Sequence, residues 1–417
     1  MGGRGSKDKS AFLVKSIADH AKDINCMALS EDQSVLVTGS EDCTAKMYDL
    51  KDKDYECLGT FEGHTSYITC ITIADTFTFT GSNDTTIRKW DMTTCLCVNV
   101  YYGHTARISR VICNHEFLFS TSHDKTARAW FFSDDELSDS PEDFTEQEYS
   151  ELLCIRTFKG HNKSVYPIIY ISADDEYYTP GSLTDQALNP NDLIITGSGD
   201  FTAKIWSFDL AKCLHTLKGH RAAVTCMTTD AQGIVLYTGS ADKSIRSWNI
   251  QRGECLRVME EHDAPVMNLL IVNRLMYSCS QDCTARCWVR EFGDCTNVYR
   301  DATDSLVVIH VKNGLLFTAG GDSVIRVYDI KSGALKETFE GHSASVQCLA
   351  IAGNRMYTAG YDNTLKIWNI ESLRMEKNSM LDDEDLEGLP LHNHQPLLNN
   401  RINKYDDVDV NSAPAMK

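Results

Sequence analysis

No apolar run in this chain of 417 residues approaches the roughly eighteen residues that a transmembrane helix needs. The amino-terminal stretch also lacks the apolar core of a secretory signal. Cysteine is plentiful, with sixteen residues, but its spacing is not that of a disulfide framework. Six of them (Cys57, Cys97, Cys154, Cys213, Cys255 and Cys295) instead recur at one place in a longer pattern. That usage points to a reducing, cytoplasmic setting.

Basic charge is also in deficit, with 40 Lys and Arg against 59 Asp and Glu. The net charge of −19 is localised in residues 134–151, 174–192 and 371–417, and the remainder is formally neutral. A nucleic-acid-binding protein needs a basic excess, so no nucleic-acid partner is expected.

What the chain does have is repetition. A tight turn centred on aspartate recurs at Asp42, Asp84, Asp124, Asp200, Asp242, Asp282, Asp322 and Asp362. Successive spacings are 40 or 42 residues, apart from one of 76. Six places after each aspartate stands an aromatic residue: Tyr48, Trp90, Trp130, Trp206, Trp248, Trp288, Tyr328 and Trp368. These include all six tryptophans. Gly-His pairs precede five of the turns, ending in His64, His104, His161, His220 and His342, with Asp19-His20 and Glu261-His262 as weaker versions. A fixed period near forty is the mark of a repeat architecture.

Gly-His followed by a Trp-Asp-like dipeptide resembles the WD-repeat family of β-propellers over residues 11–370. The resemblance implies an all-β, eight-bladed WD-repeat β-propeller, with a seven-bladed ring as the alternative. Residues 1–10 and an acidic tail, 371–417, are expected to be disordered. In the family scheme Ala11–Ile17 is an outermost strand. It is expected to complete the eighth blade and close the ring, the competing candidate being residues 373–380. Period-two alternation in the fifth unit predicts strands near residues 223–228, 233–239 and 244–250. Acidic insertions at about 133–150 and 173–191 interrupt the third and fourth units, on the face opposite the aspartate turns. They are either solvated loops or a dock for a basic partner, and Ser140 is a candidate phosphorylation site. Gly2 and Ser6 fit an N-myristoylation pattern, which implies weak membrane contact at most.

Most units carry a histidine, a serine two places before the turn aspartate, that aspartate and a tryptophan. The sets are His64, Ser82, Asp84 and Trp90; His104, Ser122, Asp124 and Trp130; His161, Ser198, Asp200 and Trp206; and His220, Ser240, Asp242 and Trp248. Ser, His and Asp together suggest a hydrolase triad, but a catalytic centre is needed once and this set recurs. The resemblance implies a structural hydrogen-bonded network from histidine to aspartate, hydroxyl and indole. The seventh unit departs from it, with Ala302, Gly320 and Tyr328, and is expected to be the least rigid. A basic residue four places after every aspartate, from Lys46 to Lys366, reads as architecture. Cys279, Cys283 and Cys287 lack an evident fourth ligand for zinc. No metal, cofactor or homo-oligomer is expected.

Function is then expected where the units differ. By resemblance, partners meet the face that carries the Gly-His and aspartate turns, at positions three and five after the histidine and one before the aspartate. The residues that stand out there are Tyr67, Arg107, His123, Tyr166, Met267, Gln281 and Tyr361. The resulting expectation is a non-catalytic scaffold or adaptor for protein or peptide partners. One alternative is a substrate receptor of a ubiquitin ligase, although the nearest Trp-Asp-x-Arg matches, Tyr48–Lys51 and Tyr328–Lys331, have Lys for Arg. An enzyme using the central channel is a third reading.

Overall fold

The computed structural model describes residues 12–52, 54–114, 116–132, 152–172 and 192–373. Gly2, Ser140, both insertions and the acidic tail beyond residue 373 lie outside them. Among the described residues, thirty-two strands form eight antiparallel four-stranded sheets. Each sheet is one blade, and its first strand is innermost, except in the eighth, where the amino-terminal strand is outermost and Val346–Ala352 is innermost. Inner strands touch in sequence around the ring, from Ile24–Leu29 against Ile68–Ala74 round to Val346–Ala352 against Ile24–Leu29. The eight-bladed expectation therefore holds.

Burial explains how each strand reads in the sequence. Ile68–Ala74, an inner strand, is buried throughout. Glu254–Met259, an outer strand, buries only Met259. Second strands are sandwiched between neighbouring blades and are buried on both faces, as Phe77–Ser82 is beyond its first residue. Every outer pairing slips register at the recurring aromatic, as where Ser247 pairs Arg257 but Trp248 pairs Cys255. Such a bulge adds twist. Eight apolar clusters each span one junction between blades. At one of them Phe61, from the first blade, stacks on Trp90 of the second, with ring centroids 5.5 Å apart.

The amino-terminal strand closes the ring. Leu13–Ile17 pairs antiparallel with Leu365–Asn369, and the Lys366 ammonium donates to Ser16 Oγ at 2.8 Å. This pairing satisfies an edge that would otherwise be open to another chain. The residues that flank the insertions end strands in blades three and four. By strand direction those ends lie on the face opposite the aspartate turns.

Candidate functional site: the turn-bearing face

The face is built from two connections per blade: the loop that enters the inner strand and the turn between the second and third strands. One backbone bond ties them in every blade. The residue before the turn aspartate donates its N–H to the carbonyl three places after the histidine position, as Asn83 does to Tyr67 at 3.0 Å and His123 to Arg107 at 3.0 Å.

Side chains lock the same junction. In the second blade His64 Nδ1 lies 2.7 Å from Asp84 Oδ2, and Nε2 lies 2.8 Å from Thr80 Oγ1. The Trp90 indole N–H donates to that same Thr80 oxygen at 2.8 Å. Only one proton arrangement satisfies all the groups: indole to threonine, threonine hydroxyl to imidazole, imidazole to carboxylate. Seven blades have this histidine pair, including His20 and His262, whose Gly-His signature is weak. Burial works against the Asp84 charge, but the hydrogen bond from His64, with that of Thr86, outweighs it. The carboxyl is held well below the usual carboxylate range.

The hydroxyl in this chain corrects the expectation. It comes not from the serine two places before the aspartate but from Thr or Ser four places before. Ser82 instead donates to the Ser66 and Tyr67 carbonyls, each at 3.0 Å, and accepts the Asp84 N–H at 3.1 Å. Ser122, Ser198 and Ser240 likewise cap their turns. The signal was present, because all eight units carry Thr or Ser at the earlier position.

Blade seven is wired differently. With Ala302 in the histidine position, Arg326 swings to Asp322, placing its Nη1 2.7 Å from Oδ2, and both side chains are nearly buried. The Thr318 hydroxyl, homologous to Thr80, is buried with no hydrogen-bond partner. Elsewhere the equivalent basic residues lie along the outer strand. Arg88 and Arg128 reach Cys97 and Cys154, each with 3.7 Å between nitrogen and sulfur. Their guanidinium carbons stand 5.9 and 5.6 Å from the tryptophan ring centroids.

A different set of side chains is gathered on the open face of blades two to four. Arg107 donates through Nε to His123 Nε2 at 2.8 Å and through Nη1 to the Tyr67 hydroxyl at 3.3 Å. His123 Nδ1 meets Ser164 Oγ at 3.1 Å, and the imidazole packs edge-on against Tyr166 with centroids 5.4 Å apart. Burial and the Arg107 charge lower the His123 pKa to about 4. The ring is neutral at pH 7, accepts at Nε2, and so carries its proton on Nδ1. Four of the residues singled out in the sequence thus form one half-buried cluster.

The other three do not join it. Met267 is buried, at 5 % exposure, packing with Tyr277 and Leu306 rather than facing solvent. Gln281 and Tyr361 are half-buried, on blades six and eight. The fifth position after the histidine mostly points inward. Thr69 and Thr225 donate to the Ile108 and Val266 carbonyls of the next blade. Among the described residues no group of three His, Cys, Asp or Glu is placed to hold a metal ion.

A family model described as "WD domain, G-beta repeat" matches residues 11–49, 55–91, 95–130, 152–207, 211–249, 253–289 and 333–369. These segments cover more than half of the chain. The chain belongs to the WD-repeat family. The WD-repeat match omits the first three strands of the divergent seventh blade. Relatives include mitochondrial division protein 1 of Schizosaccharomyces pombe, 39% identical over 80 residues, which are 19% of this chain and 12% of that protein. WD repeat-containing protein pop1 of the same organism is 26% identical over 246 residues, covering 53% and 25%. The matched regions thus span a quarter or less of these relatives. A crystal structure of the computationally designed Ika8 protein superposes with a TM-score of 0.72 and 22% identity, covering 86% of this chain and all of that one. It shares the fold. WD-repeat propellers generally serve as protein-interaction scaffolds and are typically non-catalytic.

Proposed function

We propose that this protein is a non-catalytic platform that holds a protein partner on its turn-bearing face, centred on Tyr67, Arg107, His123 and Tyr166. One observation carries the reading. The histidine–aspartate–hydroxyl set recurs as framework, whereas among the described residues the Tyr67–Arg107–His123–Ser164 chain of hydrogen bonds occurs in a single place and is half-open to solvent. Tyrosine and arginine are among the side chains enriched at interface hot spots, and here their rotamers are set before binding, which lowers the entropy lost on association. All sixteen cysteines are free thiols, which supports a cytoplasmic setting.

The test is a quantitative pull-down with wild type and with a quadruple variant in which Tyr67, Arg107, Tyr166 and Tyr361 are each changed to Ala. Specific proteins retained by wild type and lost by the variant support the platform. Equal retention by a variant of unchanged melting temperature refutes this face as the binding surface. Loss only on deletion of 134–150 would move the dock to the acidic insertion.

A further inference from the structure

The charge on the turn-bearing face is divided. In the loops and turns of blades three to five, Lys125, Lys163, Arg221 and Lys243 are exposed, and Arg107 is half-buried beside them. The acids in these segments are the turn aspartates Asp124, Asp200 and Asp242. Each is engaged by its histidine at 2.6–2.9 Å and by backbone and hydroxyl donors of its own turn. The arc from blade six round to blade one has the opposite character. Asp263, Asp304, Glu340 and Asp19 are exposed there, and only Lys22 and Arg300 are basic in the corresponding loops and turns. A sector whose exposed charges share one sign favours partners of opposite charge and speeds their approach.

An apolar feature stands within the basic arc. The residue after each turn aspartate has a left-handed backbone in all eight blades. Seven of these positions hold Cys43, Thr85, Lys125, Lys243, Cys283, Ser323 and Asn363. The fourth blade holds Phe201, with φ of 73° and 40 % of its surface exposed. This conformation is unfavourable for any residue with a Cβ, and none of the other seven positions places an aromatic side chain there. The Lys163 ammonium lies 5.5 Å from the Phe201 ring centroid. Beside it Gly199 carries no side chain where a Cβ would stand 3.4 Å from the Tyr166 ring. Exposed ring, open floor and surrounding cations therefore coincide on one blade and its neighbours.

We infer that blades three to five of this face bind an acidic segment of a partner protein, with Phe201 contacting an apolar side chain and Lys163, Arg221 and Lys243 pairing with the flanking carboxylates. The inference rests on the platform reading and specifies the chemistry of its partner. Recognition of this kind weakens as salt screens the exposed charges.

Fluorescence anisotropy on the full chain tests it. The probe is a labelled peptide of about twelve residues, glutamates around a central Leu-Phe pair, at low ionic strength. Saturable binding is expected, falling at least about tenfold in the double variant Lys163→Glu, Arg221→Glu. Phe201→Asn, which suits the left-handed turn, is expected to weaken binding about fivefold without lowering the melting temperature. Asp263→Lys with Glu340→Lys, on the opposite arc, is expected to change affinity less than about twofold. The inference is overturned by absence of binding, by indifference to the charge reversals, or by tighter binding of a single-stranded DNA oligonucleotide of equal charge. It is also overturned if the peptide binds only after removal of 374–417, since the tail would then be the occupant. Were the pull-down partners to depend on Tyr67 and Arg107 while the peptide failed to bind, the platform would stand and this inference alone would fall.

Discussion

Blades two and seven have the same four strands, the same turn and the same bulge, yet different chemistry holds each turn. In blade two a hydrogen-bonded relay runs from Trp90 through Thr80 and His64 to Asp84. In blade seven a buried ion pair, Arg326 with Asp322, takes over, and the Thr318 hydroxyl is left without a partner. The backbone geometry is therefore over-determined by topology and packing, while the polar network is one of at least two ways to satisfy the turn carboxylate. A blade can lose its signature residues and keep its shape when another side chain can reach that carboxylate.

The sharpest way to break the comparison is Arg326→Leu. It leaves Asp322 charged, nearly buried and without its cation, and a loss of about 3 kcal/mol is expected. The matching change Arg246→Leu in blade five removes no ion pair and is expected to cost below about 1 kcal/mol. Urea denaturation of both variants checks the difference. His64→Ala strips partners from both Thr80 and Asp84 in one step, with an expected loss of about 2 kcal/mol by the same assay. Gly320→Ser writes the common residue into blade seven. A Cβ there would stand 2.0 Å from the Ser305 carbonyl oxygen, so about 2 kcal/mol of destabilisation is expected. The reverse change in blade two, Ser82→Gly, forfeits hydrogen bonds without a clash and is expected to cost only about 1 kcal/mol.

Acid sharpens the same contrast. The Asp84 carboxyl is depressed in the folded state, since hydrogen bonds from His64 and Thr86 outweigh the opposing effect of burial. Its stabilising contribution is therefore complete above the unfolded value, near 4, and is lost as pH falls below it toward the folded value. Asp84→Asn should be less stable than wild type at neutral pH, with the gap narrowing between about pH 4 and pH 2. Urea midpoints measured across that range check the sign.

Much of this was legible in the sequence because the repeat samples each position eight times. Turn aspartates, aromatics and ring closure by Leu13–Ile17 all follow from the period. The tetrad hydroxyl was misplaced because Ser82 and Thr80 sit on one strand, two residues apart, and so share a face. Choosing between them requires knowing which one reaches the indole. Met267 was misread because its strand is buried on both sides, so alternation does not report exposure there. Three features had no reading from the repeat alone: the Arg326–Asp322 pair, the exposed Phe201 and the contact of Arg107 with His123. Each depends on side chains that reach across a turn or between blades.

The separation of frame from reading surface is most directly tested by photo-crosslinking from the two faces. A photoreactive amino acid is placed at Tyr166 on the turn-bearing face or at Thr76 on the opposite face, and adducts are resolved from cell extract. The account predicts that discrete protein adducts form from Tyr166 and not from Thr76. Adducts from Thr76 alone would contradict it, placing partner binding on the opposite face.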